Sequence, residues 1–262
     1  MSDVRSIFVP FARVSRQTKV INLFVLIALV FVIWEVFPPF LIPRLSKVLA
    51  AFPVLWRQGI IMELWSSFMV NLKALLLTTI ISLTLAYLVS VPFMGPAVEA
   101  VAKLRFLGMT GLTLPFTLAF GGGQPLKIAI LTFGMTSYFV TAMADEVVNI
   151  PREKLDHART LRYGNWGMVW EVVILGTLNR AFEIMRQIAG MSWAMVAMVE
   201  GIVRSEGGVG AALLARTRQF DKLPEGFAIF VLILITGILQ DRAIRSAMKH
   251  SCEWATITLE RR

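Results

Sequence analysis

Leu75-Leu76-Leu77 sits inside an apolar run from about Ser67 to Met94, and Ile233-Leu234-Ile235 inside another from Gly226 to Ile244. Neither run alternates apolar with polar residues. A lipid bilayer offers no partner to a free backbone N–H or C=O, so a segment crossing it is a helix or a strand of a closed barrel. Barrel strands alternate, one face to lipid and one to the lumen. These runs do not, and they predict helices. The same reading extends to Val20–Phe37, Leu104–Phe120, Leu126–Ala144 and Met168–Val203, the last long enough for two helices or one with a broken start. Six spans of about 20 residues each would cross the hydrocarbon core. The expected fold is an all-α integral membrane protein.

Composition agrees. Of 262 residues, 56% are hydrophobic and only 16% charged. Soluble domains carry about 25% charged residues. The net charge of +9 would suggest nucleic acid in a soluble protein. Here the basic residues flank apolar runs, which points to topology control and to anionic lipid headgroups. One cysteine, Cys252, allows no internal disulfide. With two histidines, His157 and His250, metal or catalytic chemistry has few candidates, and the chain is not expected to be an enzyme.

With the first segment inside, 15 of the 26 Lys and Arg fall on inner segments, 8 on outer loops and 3 within spans. This bias predicts both termini in the cytoplasm. Residues 1–19 then form a cytoplasmic segment, 20–245 one transmembrane domain and 246–262 a cytoplasmic tail. Arg5, Arg13, Arg16 and Lys19 precede the first span, no small-residue cleavage site follows it, and it reads as a retained anchor. Leu41–Trp65 reads as an amphipathic outer helix, with Val48, Leu49, Phe52, Leu55, Trp56 and Ile60 at helical spacing.

Gly121-Gly122-Gly123-Gln124-Pro125-Leu126-Lys127 is the one glycine-rich loop before a lysine. It lacks the Gly before the Lys and the Ser/Thr after it that a phosphate-cradling loop needs. It reads as a tight outer turn, and any ATP chemistry belongs to another chain.

Asp156-His157-Ala158-Arg159-Thr160-Leu161-Arg162, followed by Trp166 and Val172-Val173-Ile174-Leu175, resembles the coupling loop of binding-protein-dependent ABC importer permeases of the nitrate/sulfonate/taurine type. Further matches are Met185-Arg186-Gln187-Ile188-Ala189-Gly190-Met191-Ser192-Trp193, Val199-Glu200, Gly207-Gly208-Val209-Gly210, Asp241-Arg242, and Leu41–Leu49 upstream. The resemblance spans roughly residues 40–245 and rests on the order and spacing of its pieces. It departs at Asp156, which keeps the carboxylate of the family's Glu, at Arg162 in place of Gly, and at Leu175 in place of Pro. Gly164 is expected to supply the left-handed position that Arg162 cannot supply freely.

The resemblance implies a type I ABC importer permease. Its coupling loop, about 151–166, would present Asp156, His157, Ala158, Arg159, Thr160, Leu161, Arg162 and Gly164 to a cytoplasmic ABC ATPase dimer. Ala158 and Leu161 would enter a groove, with Asp156 and Arg159 at its rim and Asp156 also a candidate helix cap. Further implied partners are a second permease copy, an extracytoplasmic solute-binding protein and membrane lipid. No cofactor would be bound by this chain, and ATP and Mg would sit on the ATPase. The solute would be a small organic or inorganic anion such as a sulfonate, taurine or nitrate, the membrane the bacterial cytoplasmic (inner) one.

A charge at the bilayer centre costs about 2.5–3.5 kcal/mol on insertion scales, so polar residues within spans face a pathway or one another. Asn71, Thr136, Tyr138, Gln187, Ser192 and Trp193 are the candidate path residues. Lys73 and Glu200 are open between the path and snorkelling to the outer interface, and Arg186 is expected to pair with a carboxylate. A lone secondary transporter or channel is the alternative. It would want intramembrane carboxylates, and only Glu35, Glu183 and Glu200 lie in or beside spans.

Overall fold

A computed structural model describes residues 16–36, 42–91, 93–203 and 206–251. Every regular element among them is a helix. Two compact units can be distinguished, one comprising the chain up to Gln58 with Arg216–Ala228, the other Gly59–Ala215 with the chain from Ile229 onward. The expected domain 20–245 runs through both.

In the first unit, helix α1 (Arg16–Val36) is followed by α2 (Leu45–Arg57). Glu35 near the end of α1 accepts the Ser46 backbone N–H at 3.1 Å and the Ser46 hydroxyl at 2.9 Å. That carboxylate meets one of the N–H groups that the first turn of α2 cannot satisfy internally. On α2, Val48, Ala51 and Leu55 are buried while Leu49 and Trp56 are exposed. The amphipathic pattern holds over α2, which is shorter than the expected Leu41–Trp65. Gly59, at φ +79°, ends the element, Trp65 belongs to the next helix, and Leu41 lies outside the described residues.

In the second unit, α3 (Ile60–Leu88) packs along α6 (Gln124–Val148), and α9 (Gly176–Ile202) packs on both. Their shared core holds Val70, Ala74 and Leu75 of α3, Leu131, Met135 and Phe139 of α6, and Ile188 and Val196 of α9. Between α3 and α6 come α4 (Gly95–Lys103) and α5 (Met109–Phe120). After α6 come α7 (Arg152–Thr160), α8 (Asn165–Met168), a π-type turn over Val169–Leu175, and then α9. The broken start expected for the fifth span is this wide turn, and it forms without the proline. Last come α10 (Val209–Thr217) and α11 (Leu223–Ser251).

Three helical segments are long and apolar enough to cross a membrane: Ile60–Leu88, Gln124–Val148 and Phe220–His250. The other expected spans differ for separate reasons. The apolar part of α1, Val20–Val36, is shorter. The third expected span is divided at Leu107-Gly108. Its 12-residue helix α5 is about 18 Å long against a hydrocarbon core of about 30 Å. Helix α9 is long enough but carries Arg180, Glu183, Arg186 and Glu200. Helix α3 begins at Ile60 rather than at the expected Ser67, because the charge at Glu63 does not end the helix. Its carboxylate is satisfied elsewhere in the fold.

Candidate functional site

Two regions of the second unit gather the residues that the sequence singled out. The first is α7. It starts after Pro151, which sets the entry φ, and carries Glu153 in its first turn, where a negative charge complements the helix dipole. Its end is built as a Schellman turn. The Arg162 N–H bonds to the Arg159 carbonyl at 2.9 Å and the Tyr163 N–H to the Ala158 carbonyl at 3.3 Å. This pattern places residue 162 in the left-handed region, where glycine is the usual occupant. Arg162 adopts it, at φ +58°. Gly164, at φ −68°, does not supply that position as expected. The hydrogen-bond pattern fixes the position, and the side chain there has to accept it.

The faces of α7 divide sharply. Ala158 is buried against its own chain at 5% exposure, and Leu155 is half-buried. The expected outward role of Ala158 therefore falls to Leu161, which is 60% exposed. Asp156 lies in mid-helix rather than at the cap and pairs with Arg159 at 2.8 Å, both side chains 65% exposed. His157 and Thr160 are exposed, the Thr160 hydroxyl donating to the His157 carbonyl at 2.6 Å. Around the helix end, Tyr163, Trp166 and Trp170 also show their rings to solvent. A cleft of about 590 Å³ opens on one flank, between α7 and the start of α9, lined by Glu146, Lys154, His157, Leu161, Glu171 and Arg180 among others. A second, of about 620 Å³, lies on the other flank and is bordered by Arg152, Arg159 and Trp166.

The second region surrounds Gly207–Gly210. Four backbone groups of this loop meet side chains from three helices of the bundle. Lys127, in the first turns of α6, donates to the Gly207 carbonyl at 2.7 Å. Glu63 of α3 accepts the Gly208 N–H. Ser67 accepts the Val209 N–H at 2.8 Å and donates to the Glu200 carboxylate, also at 2.8 Å. Glu200 accepts the Gly210 N–H at 2.9 Å. Gly208 has φ +109°, and a Cβ there would lie 2.4 Å from the Glu200 carboxylate, so a side chain would be strained in its backbone and would displace that carboxylate. Lys127 and Glu200 are both fully or almost fully buried. Lys127 is thus part of the packing and not the free outer-loop charge that the topology reading assigned, and Glu200 does not snorkel.

The candidate path residues separate. Asn71 is fully buried and donates to the Gln240 side-chain oxygen at 3.1 Å. The Trp193 indole donates to the same oxygen at 2.7 Å. An indole N–H is a donor only, so it fixes Gln240's orientation and, through it, that of Asn71. Ser192 is buried and bonds the Ala189 carbonyl. Thr136 is buried with no hydrogen-bond partner for its hydroxyl. Tyr138 and Gln187 are exposed. Arg186 pairs with Asp241 at 3.3 Å. Sequence reading missed Gln240 and Ser67, since neither stands out until the helices are assembled. No group of three or more potential metal ligands occurs among the described residues. No family model matches this chain, and no curated protein matches it.

Proposed function

We propose that the chain is the membrane permease of a binding-protein-dependent ABC importer. A separate ATPase dimer would dock on α7 and a second permease copy would complete the path. The observation that carries this reading is the split character of α7. A short helix is anchored inward by Ala158 and closed by a rigid turn, yet it leaves Leu161, Tyr163 and Trp166 exposed beside a charged pair. Exposed apolar side chains rimmed by polar ones mark docking surfaces. The resemblance of this same segment to the coupling loop of such permeases supports an ABC ATPase as the partner.

In this reading the chain is a multi-pass protein of the bacterial inner membrane with both termini in the cytoplasm. ATP binds elsewhere, on the ATPase, whose closure is stabilised differently by inward- and outward-facing states. Anchored to the bundle through Ala158 and joined by its closing turn to α8, which runs through the wide turn into α9, α7 would transmit that closure as a rigid lever. The path between copies would use the exposed Gln187 and Tyr138. The buried Asn71, Ser192 and Trp193 would hold the helices together. The solute would be a small anion.

The test is purification of the tagged chain from native membranes, followed by reconstitution. A P-loop ATPase should co-purify in a one-to-one ratio, and uptake should require ATP. A chain that purifies alone and moves solute in ATP-free liposomes would be a secondary transporter or channel.

A further inference from the structure

Lys73 is the only charged residue between Glu63 and Glu99. It lies near the middle of α3, 13 residues from one end and 15 from the other, so about 20 Å of helix separates it from either terminus. It is exposed. Its neighbours on the same face are Leu76, Leu77 and Ile80, also exposed, so Lys73 is the lone charge on an otherwise apolar stripe. Four other charges within the long helices meet partners. Lys127 meets a carbonyl, Glu200 a hydroxyl and an N–H, Arg186 meets Asp241, and Arg180 meets Glu146 and Glu183. Lys73 has no such partner among the described residues.

An ammonium facing lipid at this depth is strongly disfavoured, and charges placed there line water-filled pathways. We infer that Lys73 faces the aqueous solute path and is its anion-selecting residue, attracting a small oxyanion such as a sulfonate, carboxylate or nitrate. A lysine is a compact point charge with no fixed fork of donors. It therefore selects on sign of charge and leaves the shape of the anion to other groups. The inference rests on the permease reading and assigns a residue to its path.

The experiment uses the full chain in native membranes. A water-soluble acylating reagent, sulfosuccinimidyl acetate, is applied, and acetylation of each lysine is followed by mass spectrometry. Lys127 is the internal control, because it is buried and bonded. Lys73 should be acetylated at least about tenfold faster than Lys127. Sulfate, nitrate or methanesulfonate at about 10 mM should slow Lys73 labelling about fivefold, the protection expected when the anion is at roughly four times its dissociation constant, while glycerol should not. Labelling of Lys73 as slow as that of Lys127 would put it in lipid or protein. Equal labelling with every addition would remove the anion site. Either result overturns the inference. Co-purification of the ATPase, read on the unsubstituted chain, tests the permease reading separately.

Discussion

Helix α7 and the Gly207–Gly210 loop both concentrate charge and glycine-like backbone, and they use it in opposite ways. Around the loop, Glu63, Ser67, Lys127 and Glu200 are spent on backbone N–H and C=O groups of their own chain. On α7, Asp156 and Arg159 satisfy only each other and stay 65% exposed, with Leu161 and Trp166 beside them. A buried charge must be compensated within the chain or the fold fails. An exposed pair is worth little to stability, typically 0–1 kcal/mol. The loop is therefore a structural clasp, and the groups on α7 remain available to a partner. Family resemblance in the sequence marked both segments alike, and only burial tells their roles apart.

Breaking the clasp gives the largest expected effect. Gly208→Ala forces a side chain onto a φ of +109° and into the Glu200 carboxylate. Backbone strain and overpacking together should cost on the order of 3 kcal/mol or more, read as loss of folded chain in a detergent thermal melt. Ala158→Trp comes next. Because Ala158 packs against its own chain, the bulky ring should lift α7 from its seat and cost about 1–3 kcal/mol. It should lower the melting temperature and ATPase co-purification together, rather than coupling alone. The smallest effect is at Arg162. A non-glycine residue in the left-handed region costs about 1–2 kcal/mol, so Arg162→Gly should raise the melting temperature by a few degrees, with ATPase co-purification kept. If Arg162→Gly is destabilising instead, the arginine side chain makes a contact that outweighs its strained backbone.

Much of the fold was legible because hydrophobic runs report burial or lipid contact directly. The runs around Leu75 and Ile233 gave helices, and the glycines at 121 and 123 gave a turn. Hydropathy fails where a charged residue is satisfied by distant backbone. Glu63 and Lys127 look like span boundaries in the sequence, but each sits inside a helix because the loop 80 or more residues away supplies its partner. The same limit hid Gln240, whose oxygen joins Asn71 to Trp193 across 169 and 47 residues of chain. At α7 the segment and its residues were legible, but their orientation was not. Which of Ala158 and Leu161 points outward depends on the phase of the helix against the bundle, and a nine-residue element with few apolar positions leaves that phase open.

The docking of a separate ATPase proposed for the exposed edge of α7 can be read by site-specific cross-linking. A photo-crosslinking amino acid placed at Leu161, in the full chain in native membranes, should give an adduct with a P-loop ATPase identified by mass spectrometry. The same probe at Val209, which is buried in the clasp, should give none. No adduct from position 161, or an adduct only with lipid, would show that α7 is a connecting helix that docks no ATPase.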